Sequence, residues 1–172
     1  MTLLLKNIAL FLIYLVAQLL VFNNFTLWGV AAAHVFLVFL LVLPINIPFP
    51  VLLLIGFTTG MLVDVFSIGA FKGLSAFSCV LMLSVRNIWV SVITNKVSFR
   101  GNEESLIRIQ PIPWLIQYML PLIIIFELSY HLLEAFSFQH LGMTLLKAGT
   151  STVFTFLLCF IFIVWRHQDS KR

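Results

Sequence analysis

Residues 50–73 read PVLLLIGFTTGMLVDVFSIGAFKG, an apolar run from Pro50 to Phe66 broken only by Asp64 and closed by a glycine-bounded turn. A helix over 50–66 rises about 1.5 Å per residue and meets the lower limit, roughly 17 residues, for crossing a hydrocarbon core about 30 Å thick. Lipid offers the backbone no hydrogen-bond partners, so only helices and closed β-barrels span it. Barrel strands alternate apolar and polar residues, and this run is continuously apolar. The stretch therefore predicts a transmembrane helix that ends in a tight turn.

Similar runs lie on both sides of it. One covers 3–22 and stops at Asn23-Asn24; the next, 27–43, is stopped by Pro44, Pro48 and Pro50. After the turn come 73–94, 114–135 and 141–165, with one charged loop at 95–113 holding Lys96, Arg100, Glu103, Glu104 and Arg108. The pattern predicts an all-α polytopic membrane helix bundle of about six transmembrane helices, forming a single integral membrane domain over 1–172. Composition points the same way. The chain is 62% hydrophobic and 9% charged, against about 25% charged residues in an ordinary soluble domain. No small-residue cleavage site precedes Phe22, so the first helix is expected to stay in the mature chain.

Lys and Arg set the expected orientation. With the N-terminus inside, the cytoplasmic side receives Lys6, Lys96, Arg100, Arg108, Arg166, Lys171 and Arg172, and the outer side only Lys72. This asymmetry predicts both ends in the cytoplasm. The net charge of +4 sits at the ends of apolar runs and forms no dense basic block. Membrane lipid is thus the expected partner, and nucleic acid is not. Cys79 and Cys159 lie within apolar runs without a CxxC spacing and are expected to be buried thiols.

A charged side chain at the bilayer centre costs about 2.5–3.5 kcal/mol on insertion scales, so each intramembrane polar group calls for a reason. Glu127, His131 and Glu134 recur at i, i+4 and i+7 and share one helix face. The expected topology places His34, Lys147 and Lys72 in the same outer half, giving an outer polar cluster of His34, Lys72, Glu127, His131, Glu134 and Lys147. Such a cluster either lines an outward-facing groove for a ligand or partner, or fixes helix packing. Lys72, in the adjoining turn, is the expected partner of Asp64, and Arg86 is expected to reach toward the cytoplasmic surface.

No catalytic residues are predicted. HExxH, GxSxG and GxxxxGK[ST] are all missing, and Asp64 is the only aspartate in a membrane run, which excludes a two-aspartate intramembrane protease. No metal site and no cofactor are expected.

Gly56 and Gly60 form a GxxxG step that lets another helix approach closely in lipid. Asp64 follows four residues on, and Gly69 and Gly73 bound the turn. This arrangement resembles the MreD family of bacterial rod-shape-determining membrane proteins, whose members show glycines four apart, an aspartate four residues later and a glycine-containing turn into the next helix. The resemblance covers residues 56–73 in motif and most of the chain in layout. It implies a multi-pass protein of the bacterial inner membrane, without enzymatic activity, in the cell-elongation machinery. The partners it implies are a bitopic MreC-like protein, a RodA-type glycosyltransferase and a class B penicillin-binding protein. The Gly56/Gly60 face, with Asp64, Gly69 and Gly73, is then the expected partner-binding and packing surface. The chain is also similar in size and layout to substrate-binding membrane subunits of energy-coupling-factor vitamin transporters, although its outer loops 23–26, 67–72 and 136–140 are short.

Overall fold

The computed structural model describes residues 11–22, 32–67, 72–94, 112–135 and 141–169. Among them there are helices and no strands. These are α1 (Phe11–Leu20), α2 (Leu37–Val42), α3 (Phe49–Phe66), α4 (Leu74–Thr94), α5 (Ile112–Ala135) and α6 (Leu141–Asp169). From Gln18 the end of α1 widens into a π-helical turn that continues past it to Phe22. α3, α4, α5 and α6 are each long and apolar enough to cross a membrane. The protein is a multi-pass α-helical membrane bundle.

Local chemistry sets the helix ends. Pro48 precedes α3 in extended geometry and Pro50 occupies its first turn, where the missing N–H removes no intrahelical bond. Ser67 closes α3 by donating its N–H to the Val63 carbonyl at 2.9 Å. Gly73 then takes a φ of +97°, a left-handed conformation that costs glycine little, and α4 begins at the next residue.

α3 and α4 form a close antiparallel pair. A Cβ added at Gly60 would lie 2.5 Å from Ala76 Cα and 2.6 Å from Ser75 O, so only glycine fits against the α4 backbone. A Cβ at Gly56 would collide with the end of the Leu83 side chain. The GxxxG face expected to receive a partner's helix is thus covered by α4 of the same chain.

α5 packs against α4, and α6 against α5. The ends of α3 and α5 and the starts of α4 and α6 therefore share one end of the bundle, here called the turn end. Pro121 lies inside α5 and has no N–H to give the Gln117 carbonyl one turn back. Trp89 of α4 replaces that bond, donating its indole N–H to Gln117 O at 3.0 Å. Trp89, Gln117 and Pro121 line a shallow apolar groove on this side of α4 and α5.

Four of the expected spans, 50–66, 73–94, 114–135 and 141–165, correspond to α3, α4, α5 and α6. Of the expected span 3–22, the structure describes the part from Phe11 onward. The expected span 27–43 is corrected. Over its described residues the backbone is non-helical from Ala32 to His34, turns through Val35-Phe36, and becomes helical only as the six-residue α2. The N–H groups of Leu37, Val38 and Phe39 bond to carbonyls three residues back, at 3.0–3.2 Å, a tightened 3₁₀-type entry. Leu37, Val38, Leu40 and Leu41 are buried, as required of irregular backbone at membrane depth, which survives only inside protein or beside a cavity. The polar loop expected at 95–113 is described only at Ile112 and Pro113, which already belong to α5; its remainder, together with Gly69, lies outside the described residues.

Candidate functional site

The interrupted segment 32–43 runs through the centre of the bundle, and five buried polar side chains, Gln18, Arg86, Tyr118, Ser151 and Thr155, serve its backbone. At its start, Ala32 N–H donates to Ser151 Oγ at 3.1 Å and His34 N–H to Thr155 Oγ1 at 3.1 Å. Gln18, on the π-helical turn of α1, reaches in from the other side. Its Oε1 accepts from Val35 N–H at 2.7 Å and from Phe36 N–H at 3.4 Å, and its Nε2 donates to Ala33 O at 2.9 Å. The unwound turn is thus closed by side chains from α1 and α6.

The far end of the segment is held differently. Tyr118 of α5 donates its hydroxyl to Leu41 O at 2.9 Å and accepts from Arg86 Nε at 2.8 Å. Arg86 of α4 also donates through Nη2 to Leu43 O. Arg86 is 1% exposed, and no carboxylate among the described residues pairs with it. The expectation that it reaches to the cytoplasmic surface is corrected: its guanidinium turns inward to the carbonyls that end α2. Its Nη1 and the indole N–H of Trp114 are buried without a hydrogen-bond partner among the described residues. Trp114 stacks on the Tyr118 ring at 5.2 Å.

Toward the turn end, α5 presents Glu127, His131 and Glu134 on one face, as their spacing predicts. Glu127 is fully buried. Its Oε1 lies 3.0 Å from His34 Nδ1 and accepts the Thr155 hydroxyl at 2.7 Å. Its Oε2 has no hydrogen-bond partner among the described residues, and His131 Nε2 is 3.7 Å away from it. His131 Nε2 is 3.2 Å from Ser151 Oγ, and its Nδ1 is 3.0 Å from Glu134 Oε2. The His34 ring packs among Phe36, Phe126 and Tyr130.

The structure therefore joins His34, Glu127, His131 and Glu134 of the expected outer cluster, with Lys147 within electrostatic reach of Glu134. Lys72 stands apart, exposed, donating to Ser67 O. The pairing expected between Lys72 and Asp64 is corrected as well. Asp64 accepts three N–H groups at the start of α4: Gly73 at 3.0 Å, Ser75 at 3.2 Å and Ala76 at 3.2 Å. A carboxylate there satisfies donors that have no intrahelical partner and meets the positive end of the helix dipole. Gly56, Gly60, Asp64 and Gly73 thus build one α3–α4 hairpin.

Gln18, Tyr118, Ser151 and Thr155 also belong to this polar interior, and the intramembrane charges alone do not point to them. A signal for two of them exists. Thr144, Ala148, Ser151, Thr155 and Cys159 recur three and four apart along α6 and are all buried, a stripe of small and hydroxyl residues such as packs helices in lipid. No such pattern marks Gln18 or Tyr118. Among the described residues no group of three His, Cys, Asp or Glu side chains is arranged to hold a metal ion.

No family model, no curated protein and no solved structure matches this chain.

Proposed function

We propose that this chain is a non-catalytic integral membrane subunit of the bacterial cell-elongation machinery, lying in the inner membrane with both ends in the cytoplasm and binding a bitopic MreC-like protein. The observation that carries the reading is the motif over 56–73. Its residues resemble the MreD pattern, and in the fold four of them form one working unit: two glycines admit α4, Asp64 caps it, and Gly73 turns into it. Because α4 covers the glycine face, a partner's helix would meet the lipid-facing side of the bundle, where Leu54, Phe57, Met61 and Val65 of α3 are exposed.

The alternative, a vitamin-binding subunit of an energy-coupling-factor transporter, draws support from the interrupted segment, since broken helices near polar groups are a device of transporters. Against it, the polar groups around 32–36 are turned toward one another and toward that backbone. A detergent pull-down of the tagged chain from its native membranes, with the partners identified by mass spectrometry, separates the two. Recovery of an MreC-like protein with cell-wall synthases is the expected result. An ATPase pair with a coupling subunit would overturn it. Gly60→Leu is expected to lower the yield of folded protein outright, because the added side chain meets backbone that cannot move aside.

A further inference from the structure

The four side chains at the turn end form a row of neighbours that is exposed only at Glu134. The Glu134 side chain is 46% exposed, that of His131 5%, that of Glu127 0% and that of His34 7%. Each is next to the following one: 3.0 Å from Glu134 Oε2 to His131 Nδ1, 3.7 Å from His131 Nε2 to Glu127 Oε2, and 3.0 Å from Glu127 Oε1 to His34 Nδ1. His131 therefore lies between an exposed and a buried carboxylate, one at each ring nitrogen. The buried oxygen facing it, Glu127 Oε2, is the one that lacks a hydrogen-bond partner among the described residues. Packing alone would be served by an amide or a second hydroxyl at position 127. A carboxylate with a free, enclosed oxygen beside an imidazole is suited to receiving a proton.

We propose that Glu127 is a proton-binding site inside the bundle, loaded from the turn end through Glu134 and His131. In the loading step the Glu134 carboxyl gives its proton to His131 Nδ1. The Nε2–H proton passes to Glu127 Oε2, and the ring is left neutral in its other tautomer. Closing the 3.7 Å gap by less than an ångström completes the path, and the reverse exchange or a ring rotation resets His131. Ser151, 3.2 Å from the same nitrogen, holds the ring in place.

Other groups also face the site. His34 comes from the interrupted segment and Tyr130 from α5 itself. Lys147 and Cys159 of α6 lie within electrostatic range of Glu134 and Glu127 respectively. Asp64 is close enough to interact with Tyr130. The proton is coupled to the fold through Thr155, whose hydroxyl donates to Glu127 and accepts from the His34 backbone N–H. Neutralising Glu127 weakens the acceptor that orients this hydroxyl, and so loosens the hold of α6 on the unwound turn. The site does not depend on which partner the protein has in the membrane.

Infrared difference spectra of the whole chain in lipid nanodiscs, taken across about pH 4 to 8 where carboxyl and imidazole groups exchange protons, test this directly. The expected result is a protonated-carboxyl band that is lost in Glu127→Gln and retained at a shifted position in Glu127→Asp, the variant to use should the glutamine chain not fold. After a pH jump, Glu134→Gln is expected to reach the same final amplitude about 10²-fold more slowly, the scale on which a positioned proton donor acts. A band unchanged in Glu127→Gln or unshifted in Glu127→Asp would overturn the site. An unchanged rate in Glu134→Gln would overturn the relay.

Discussion

The two ends of the interrupted segment solve the same problem with opposite chemistry. At 32–36 the backbone groups left without helical partners are chiefly N–H donors, and they are met by neutral acceptors: a glutamine amide, a serine and a threonine. At 41–43 they are carbonyls, and they are met by a phenol and by a full guanidinium charge. Neutral partners impose little desolvation penalty, whereas a buried charge without a counter-ion is costly even when hydrogen-bonded. The difference teaches that intramembrane polar residues here are placed by the needs of the backbone first and by charge pairing second. Asp64, bonded to N–H groups of α4, obeys the same rule.

The comparison breaks most visibly at Gln18. Gln18→Leu leaves Val35 N–H, Phe36 N–H and Ala33 O without their partner in a region that holds no bulk water. At about 1–3 kcal/mol for each orphaned buried group, the expected destabilisation is about 4 kcal/mol, read from denaturant unfolding of the protein in detergent. A loss below about 1 kcal/mol would mean that the segment rewinds into helix without help, and that Gln18 is incidental.

At the other end the expected effect is smaller, because two terms oppose. Arg86→Met orphans Leu43 O and one bond of Tyr118, at about 1–3 kcal/mol for a buried acceptor, but removes a charge whose burial is itself unfavourable. A net loss of about 2 kcal/mol is expected. A stabilised variant would show instead that the charge is retained at a cost to stability, for a purpose other than holding α2. Tyr118→Phe orphans Leu41 O and Arg86 Nε and is expected to lose about 2 kcal/mol, and in the double variant the two losses should fall short of their sum, since both residues share one network.

How far this interior is legible from sequence follows from what hydropathy measures. Side-chain transfer to lipid fixes α3, α4, α5 and α6, because 50–66, 73–94, 114–135 and 141–165 are apolar runs whose backbone bonds stay within the helix, except at Gln117, where Pro121 leaves the carbonyl to Trp89. The run 27–43 looks the same by that measure and carries no proline or glycine after Gly29. Its helix is nevertheless interrupted, because acceptors on Gln18, Ser151 and Thr155 compete for the N–H groups of 32–36. Those residues lie from 15 to 121 positions away in the chain, and no local propensity encodes them. Within the outer cluster, the i, i+4, i+7 spacing places Glu127, His131 and Glu134 correctly, since it depends on one helix. Lys72 and Arg86 are misplaced by depth and charge alone, since their acceptors are backbone carbonyls that charge counting ignores.

The smallest expected effect sharpens the rule at the lipid face. Trp89 gives Gln117 O the bond that Pro121 cannot, the same service Gln18 performs inside, but at an exposed contact on the lipid-facing side. Trp89→Phe keeps most of the aromatic surface and removes only the N–H, so a loss of about 0.5–1 kcal/mol is expected. Pro121→Ala restores a backbone N–H one turn after Gln117 and makes the indole donor redundant. In the Pro121→Ala background, Trp89→Phe should then cost almost nothing. A penalty of the same size in both backgrounds would mean that Trp89 acts through packing in the groove, and that side-chain repair of the backbone is confined to the bundle's centre.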